Sequence, residues 1–209
     1  MGLVPDVRGS YLLGRAPGRL GEFLGTTGAR MKAGDAIHAG FADYFIPFDD
    51  WPALKEALFR QGDPALVDEA ATPAPASALA RDQPRIDHHF AGETFGDILR
   101  ALRAEHSEEN AADLMAIDRN SPLAMACAVQ IVHRLRGPGA TIERALDLEA
   151  RFTFRSMEHG DFLEGIRALI IDKDKSPKWK HGLGGVSQTD VARMLMPLGA
   201  DAPTLEETI

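Results

Sequence analysis

The chain has one cysteine among 209 residues, and only two tryptophans and two tyrosines. A lone thiol, Cys127, excludes a disulfide scaffold and a thiolate zinc site. Basic charge is also short: 23 Lys and Arg stand against 31 Asp and Glu, a net charge of −8. That balance argues against a duplex-binding protein, which carries a basic face. No apolar run approaches the roughly 20 residues that span a bilayer. The opening MGLVPDVRGS has no basic then apolar leader, and Asp6 breaks the myristoylation pattern. The expectation from these absences is a cytoplasmic protein with no nucleic-acid and no membrane partner.

What is present is a globular composition. At 44% hydrophobic and 26% charged residues, the chain can bury a core without covalent staples. The acidity has an address: residues 49–115 hold fourteen acidic and six basic groups, while both flanks are nearly balanced. Glycine concentrates elsewhere, with nine of the 20 in the first 48 residues. Glycine inside a helix costs about 1 kcal/mol against alanine, so this density predicts short helices broken by tight turns. We place them at 10–15, 18–26 and 32–39. Tyr44, Phe45 and Ile46 predict one short strand at 42–47, stopped by Pro47.

From Trp51 the period becomes helical, with Trp51, Leu54 and Leu58 on one stripe. Asp63 and Pro64 open a further helix. Residues 72–87 carry three prolines and read as a loop. Longer helices follow at 95–105, 111–119, 122–136, 141–157, 161–171 and 186–198. Ser121 and Thr141 are their clearest N-caps, and Gly137-Pro138-Gly139 is a strong stop. The fold class expected is mostly α. The division expected is 1–48 and a helical region, 49–209.

Two segments carry more than periodicity. The first is Pro5-Asp6-Val7-Arg8-Gly9-Ser10-Tyr11, running on through PGRLGEFLGTTGARMKAGDAIHAGFADYFIP. It resembles the enoyl-CoA hydratase/isomerase (crotonase) superfamily just past its active-site segment. Gly18, Gly21, Leu24, Thr27, Gly28, Ala36, Ala39 and Gly40 fit the pattern. The second, ALDLEARFTFRSMEHGDFLEGIRALIIDKDKSPKWK, spans 145–180 and resembles the 3-hydroxyisobutyryl-CoA hydrolase branch. Asn120-Ser121-Pro122 matches that branch as well. The resemblance covers nearly all of the chain except 72–87 and the tail after Leu198.

The resemblance implies the C-terminal part of a ClpP/crotonase-type α/β spiral, with 1–48 as the end of the spiral core. It implies thioester hydrolysis in valine breakdown, an acyl-CoA substrate, and no cofactor beyond the coenzyme A of the substrate. A complete member would begin well before Met1. It would carry a catalytic glutamate eight positions before Asp6 and two backbone N–H groups of an oxyanion hole, which stabilise developing charge. In the family the aspartate matching Asp6 orients substrate or water, and Gly9 leaves room for a ligand. The family has Gly-Gly after Asp-Val; here the first is Arg8. Taken alone, Asp6 reads first as a turn or helix-capping residue. The uncovered face of a partial spiral implies a homo-oligomer or a missing N-terminal region as its partner.

Other residues carry less. Lys173 and Lys175, with Lys178 and Lys180, suit the phosphates of coenzyme A. They read equally as a solvated face neutralised by Asp172 and Asp174. His88-His89 has no partner at metal spacing and reads as a surface or interface pair, and no metal is expected. Cys127, Phe152, Phe154 and Phe162 read as core, and Glu143 and Glu149 as solvated or capping groups. Glu164 has no assigned chemistry. Two competing functions remain: an enoyl-CoA hydratase or isomerase, and a non-catalytic helical fragment used for packing.

Overall fold

In the computed structural model the described residues are 1–202. Along them run α1 (Gly9–Arg15), α2 (Leu20–Thr27), α3 (Ala33–His38), α4 (Trp51–Gln61), α5 (Ala65–Ala70) and α6 (Ala78–His89). Then come α7 (Phe95–Ala104), α8 (Glu108–Asp118), α9 (Pro122–Arg134), α10 (Ile142–Ser156), α11 (Phe162–Ile166) and α12 (Gln188–Leu195). The mostly helical class holds. The caps read from the sequence hold too. Ser121 Oγ accepts from the Ala124 N–H at 3.2 Å, and Thr141 Oγ1 from that of Arg144 at 3.2 Å.

Two expectations are corrected. The strand at 42–47 shrinks to one antiparallel bridge between Phe45 and Thr72, whose N–H donates to the Phe45 carbonyl at 2.9 Å. Without a neighbouring strand the remaining backbone groups have no ladder to join. The loop at 72–87 is half helix, because α6 starts at Ala78 and carries Pro84 in its interior. Pro84 removes one helical hydrogen bond. The start of α6 is fixed by a side chain 44 residues away: Asp35 Oδ1 accepts from the Leu79 N–H at 3.0 Å and from Ser77 Oγ at 2.8 Å.

The chain divides into two compact units, Arg30–Pro84 and the segments on either side of it. The smaller unit has little core. None of the residues of α4 and α5 is buried, and Phe48 and Phe59 stand out in solvent. Asp35 is its organising group, since its other oxygen caps α3 through the Lys32 N–H at 3.1 Å. Burial alone would push this carboxyl up; the hydrogen bonds from Leu79, Ser77 and Lys32 outweigh it and hold it below the usual range.

The larger unit is built around α9. Ten of its thirteen residues are buried, so it needs neighbours on every side. It packs against α1, α2, α7, α10 and α12. Cys127 is fully buried there, and burial pushes its thiol up. Glycines expected to break helices instead let helices approach. A Cβ on Gly21 would lie 2.2 Å from the Leu13 carbonyl oxygen, and one on Gly14 would lie 2.8 Å from Leu135 Cβ. Gly28, at φ +65°, does serve as a turn, closing α2.

Glu22, fully buried on α2, is the charged centre of this unit. Arg19 Nη1 and His133 Nε2 each lie 3.0 Å from its Oε1, and Arg136 grips both oxygens. Burial by itself raises the carboxyl pKa. Hydrogen bonds from His133 and Arg136, with the Arg136 charge, overcome that and hold it at about 2. The folded pKa is depressed, so this stabilisation is complete above about pH 5 and is lost as pH falls towards 2. Urea melts from pH 7 to pH 2 check this: stability falls in that window, and Glu22→Gln is less stable at pH 7 by about 3–5 kcal/mol with a flatter acid limb.

The helical glycines give a second test of opposite signs. Gly21→Ala meets main chain and is expected to lose about 1–3 kcal/mol. Gly25→Ala places its Cβ in ordinary contact, 3.6 Å from Leu13 and 3.7 Å from Ala128, and is expected to gain up to about 1 kcal/mol in the same melts.

Candidate active site

Asp6 and Gly9 lie in one tight turn, closed by the Gly9 N–H donating to the Asp6 carbonyl at 2.7 Å. The turn is strained. Val7 has φ +52° and Arg8 has φ +68°, conformations that glycine adopts without cost. Arg8 thus stands, as a non-glycine, where a left-handed residue is required. The Asp6 side chain is exposed, and Val7 beside it is 83% exposed.

The turn is held from the far end of the sequence. Glu149 on α10 is buried, so of its two expected roles, solvated or capping, it takes the second, at a helix far from its own. One of its oxygens accepts from the Arg8 N–H at 3.1 Å; the other accepts from the Ser10 N–H at 3.2 Å and from the Ser10 hydroxyl. Arg8 and Ser10 open α1, and neither Arg8 nor Asp6 caps it with a side chain. The carboxylate therefore does the capping, where a negative charge also suits the helix dipole.

A second buried carboxylate, Asp161, ties the start of α9 to the segment after α11, and its backbone abuts the residues before the turn. Asp161 Oδ2 accepts from the Ser121 hydroxyl at 2.6 Å, and its Oδ1 accepts from the Lys180 N–H at 2.9 Å. Gly2, at φ +72°, lies so close that a Cβ there would sit 2.8 Å from the Asp161 backbone. Likewise a Cβ on Gly165 would lie 2.3 Å from the Met1 carbonyl oxygen. Between this stretch and α2 and α9 lies a cleft of about 220 Å³. Pro5, Gly28, Asn120 and Ser121 are among its walls. The Asn120 amide donates to the Thr26 carbonyl at 2.9 Å, which fixes that wall.

Lys173 and Lys175 sit in a different feature, the exposed segment after α11. Both have positive φ, +56° and +55°. Asp172 and Asp174, read as their neutralisers, bind Arg167 instead, at 2.6 and 2.7 Å. Glu164 completes the grip on Arg167 at 2.8 and 2.9 Å and accepts from the Lys178 N–H at 2.6 Å. The Arg167 hydrogen bond and the Lys178 N–H hold Glu164 at about 2. Glu164 therefore anchors the DKDKSPKW segment. Of the aromatic residues read as core, Phe152 is fully buried, but Phe154 is 59% exposed.

A family model described as enoyl-CoA hydratase/isomerase matches residues 1–195. The chain belongs to that family. The 3-hydroxyisobutyryl-CoA hydrolases of Rattus norvegicus and Homo sapiens are each 32% identical to it over 96% of this chain and 54% of their own length. The chain spans about half the length of the curated relatives it matches. Among solved structures, one described as an enoyl-CoA hydratase from Rhodobacter sphaeroides is 53% identical, with a TM-score of 0.91. It covers 97% of this chain and 59% of that one. A carnitinyl-CoA dehydratase from Mycobacterium thermoresistibile is 34% identical, with a TM-score of 0.88, over 98% and 59% of the two chains. These matches place the described helices in the crotonase fold. None of those helices is long and apolar enough to cross a membrane.

Two variants of the turn test this reading of it. Arg8→Gly relieves the left-handed backbone and is expected to stabilise the chain by about 1–2 kcal/mol. Glu149→Ala leaves the N–H groups of Arg8 and Ser10 without their acceptor and is expected to destabilise it by about 1–3 kcal/mol. Thermal or urea melts measure both.

Proposed function

We propose that this chain is the catalytic-aspartate half of an acyl-CoA thioester hydrolase of the 3-hydroxyisobutyryl-CoA type. The observation that carries the reading is the turn at Asp6. The segment resembling the hydrolases, 145–180, supplies the carboxylate that clamps it, so the two recognised segments form one object. Thioester hydrolysis needs a polarised carbonyl, a carboxylate acting as base or nucleophile, and a water held in place. In this reading Asp6 orients the water or the substrate, and the strained backbone of Val7 and Arg8 keeps its carboxylate at the surface of the turn. Gly9, with no side chain, leaves the approach open. The base would come from the family's glutamate eight positions earlier, and the oxyanion donors from the family's spiral sheet. Lys173 and Lys175 are proposed to meet the phosphates of coenzyme A, as exposed point charges.

A hydratase reading is favoured by one observation, the 53% identity to a structure described as an enoyl-CoA hydratase. The same scaffold with an acid–base carboxylate pair would add water to a double bond rather than cleave a thioester. An assay separates the two. A protein extended upstream to family length is expected to release free coenzyme A from 3-hydroxyisobutyryl-CoA, and Asp6→Asn to slow it about 100-fold or more. The chain as given, without the oxyanion donors, is expected to show negligible release. Hydration of crotonyl-CoA with no thiol release would overturn the hydrolase reading.

A further inference from the structure

His88 and His89 end α6, and the structure divides them: His88 is exposed, whereas His89 is 2% exposed. Neighbouring residues on a helix do not share a face. At this helix end the two rings nevertheless come edge to face, 4.8 Å between centroids. Glu105, from the end of α7, reaches the same place. Its Oε2 lies 3.4 Å from His89 Nε2, and one ligand atom from each of the three residues lies within 4.8 Å of the others.

The hydrogen bonds around His89 do not close. The Asn110 amide is fixed, because its Oδ1 accepts from Arg85 at 2.7 Å and its Nδ2 donates to the Glu105 carbonyl at 3.0 Å. The same Nδ2 stands 3.3 Å from His89 Nε2, so it offers that nitrogen an N–H. A ring that accepts it keeps its own proton on Nδ1, which is buried and meets no hydrogen-bond partner among the described residues. The Nε2 electron pair then faces a carboxylate oxygen at 3.4 Å with no proton between them. Protonating Nε2 repairs that contact and turns the Asn110 N–H into a facing donor. Either way one contact is repulsive, and an unmatched buried polar group is costly to keep.

A cation between Nε2 and Oε2 takes the Nε2 electron pair in place of the Asn110 N–H and removes the repulsion between that pair and the carboxylate. Metal–ligand bonds of about 2.0–2.1 Å at tetrahedral angles put adjacent ligand atoms about 3.4 Å apart. That is the separation already present between His89 and Glu105. The tautomer imposed by Asn110, with the proton on Nδ1, is the one that binds metal through Nε2. His88, exposed, needs only a turn of its side chain to complete the set. Arg85, the nearby cation, is held by Asp113 at 2.8 Å.

We propose that His88, His89 and Glu105 form a binding site for a divalent transition-metal ion, zinc first, independent of the turn at Asp6. Two imidazoles and one carboxylate suit zinc and disfavour magnesium, which wants oxygen ligands. Isothermal titration of the metal-free chain with zinc chloride tests it. One ion per chain is expected, with a rise in melting temperature, and no heat from magnesium chloride. His88→Gln and Glu105→Gln change exposed side chains and spare the core. Each is expected to weaken zinc binding at least tenfold with an unchanged circular dichroism spectrum. His159→Gln, at a histidine outside the cluster, is expected to bind as the parent does. No zinc binding, or binding that neither His88→Gln nor Glu105→Gln weakens, or an equal loss in His159→Gln, would overturn the proposal.

Discussion

The backbone N–H groups of Arg8 and Ser10 open a helix that no local side chain caps, and the carboxylate of Glu149 takes both. That one interaction decides where Asp6 stands. Without it, a turn with two residues of positive φ in succession would relax, since each left-handed non-glycine residue costs about 1–2 kcal/mol. Asp161 binds Ser121 and the Lys180 backbone with its carboxylate and abuts the preceding stretch with its main chain. The C-terminal third thus meets the first ten residues through one carboxylate, at Arg8 and Ser10, and through close backbone packing at Gly2. These contacts show why the hydrolase-like motif from 145 to 180 is long and irregular. Much of it serves to grip other parts of the chain.

Features governed by neighbours in sequence were legible. Ser121 and Thr141 cap their helices because an N-cap needs only the next three residues. The burial of Cys127 followed from the apolar stretch around it. The turn at Asp6 and Gly9 was legible as well, through Pro5-Asp6 and the segments resembling the crotonase family. The family, the mostly helical class and the spiral-type neighbours agree with that reading.

What escaped the sequence was settled by partners far away. The helix at Ala78–His89 looked like a loop because its prolines were weighed without the Asp35 cap that starts it. Glu149 reads as solvated or capping, and which helix it caps is hidden because its partners lie some 140 positions earlier. Glycines 14 and 21 looked like helix breakers, yet a missing Cβ is equally what lets backbones touch, and spacing alone does not tell these uses apart. His89 and Glu105 meet only because α7 folds back between them, a closeness that short metal-binding spacings do not describe.

The span of the Glu149 clamp also orders events in time. Its partners are 139 and 141 residues apart in sequence, so the loop it closes is most of the chain. A ribosome making about 5–20 residues per second completes the first ten residues many seconds before α10 leaves it. Through that interval the Asp6 turn has no acceptor for its N–H groups, and its left-handed residues have nothing to hold them. The Asp6 turn is thus translated well before the helix that shapes it.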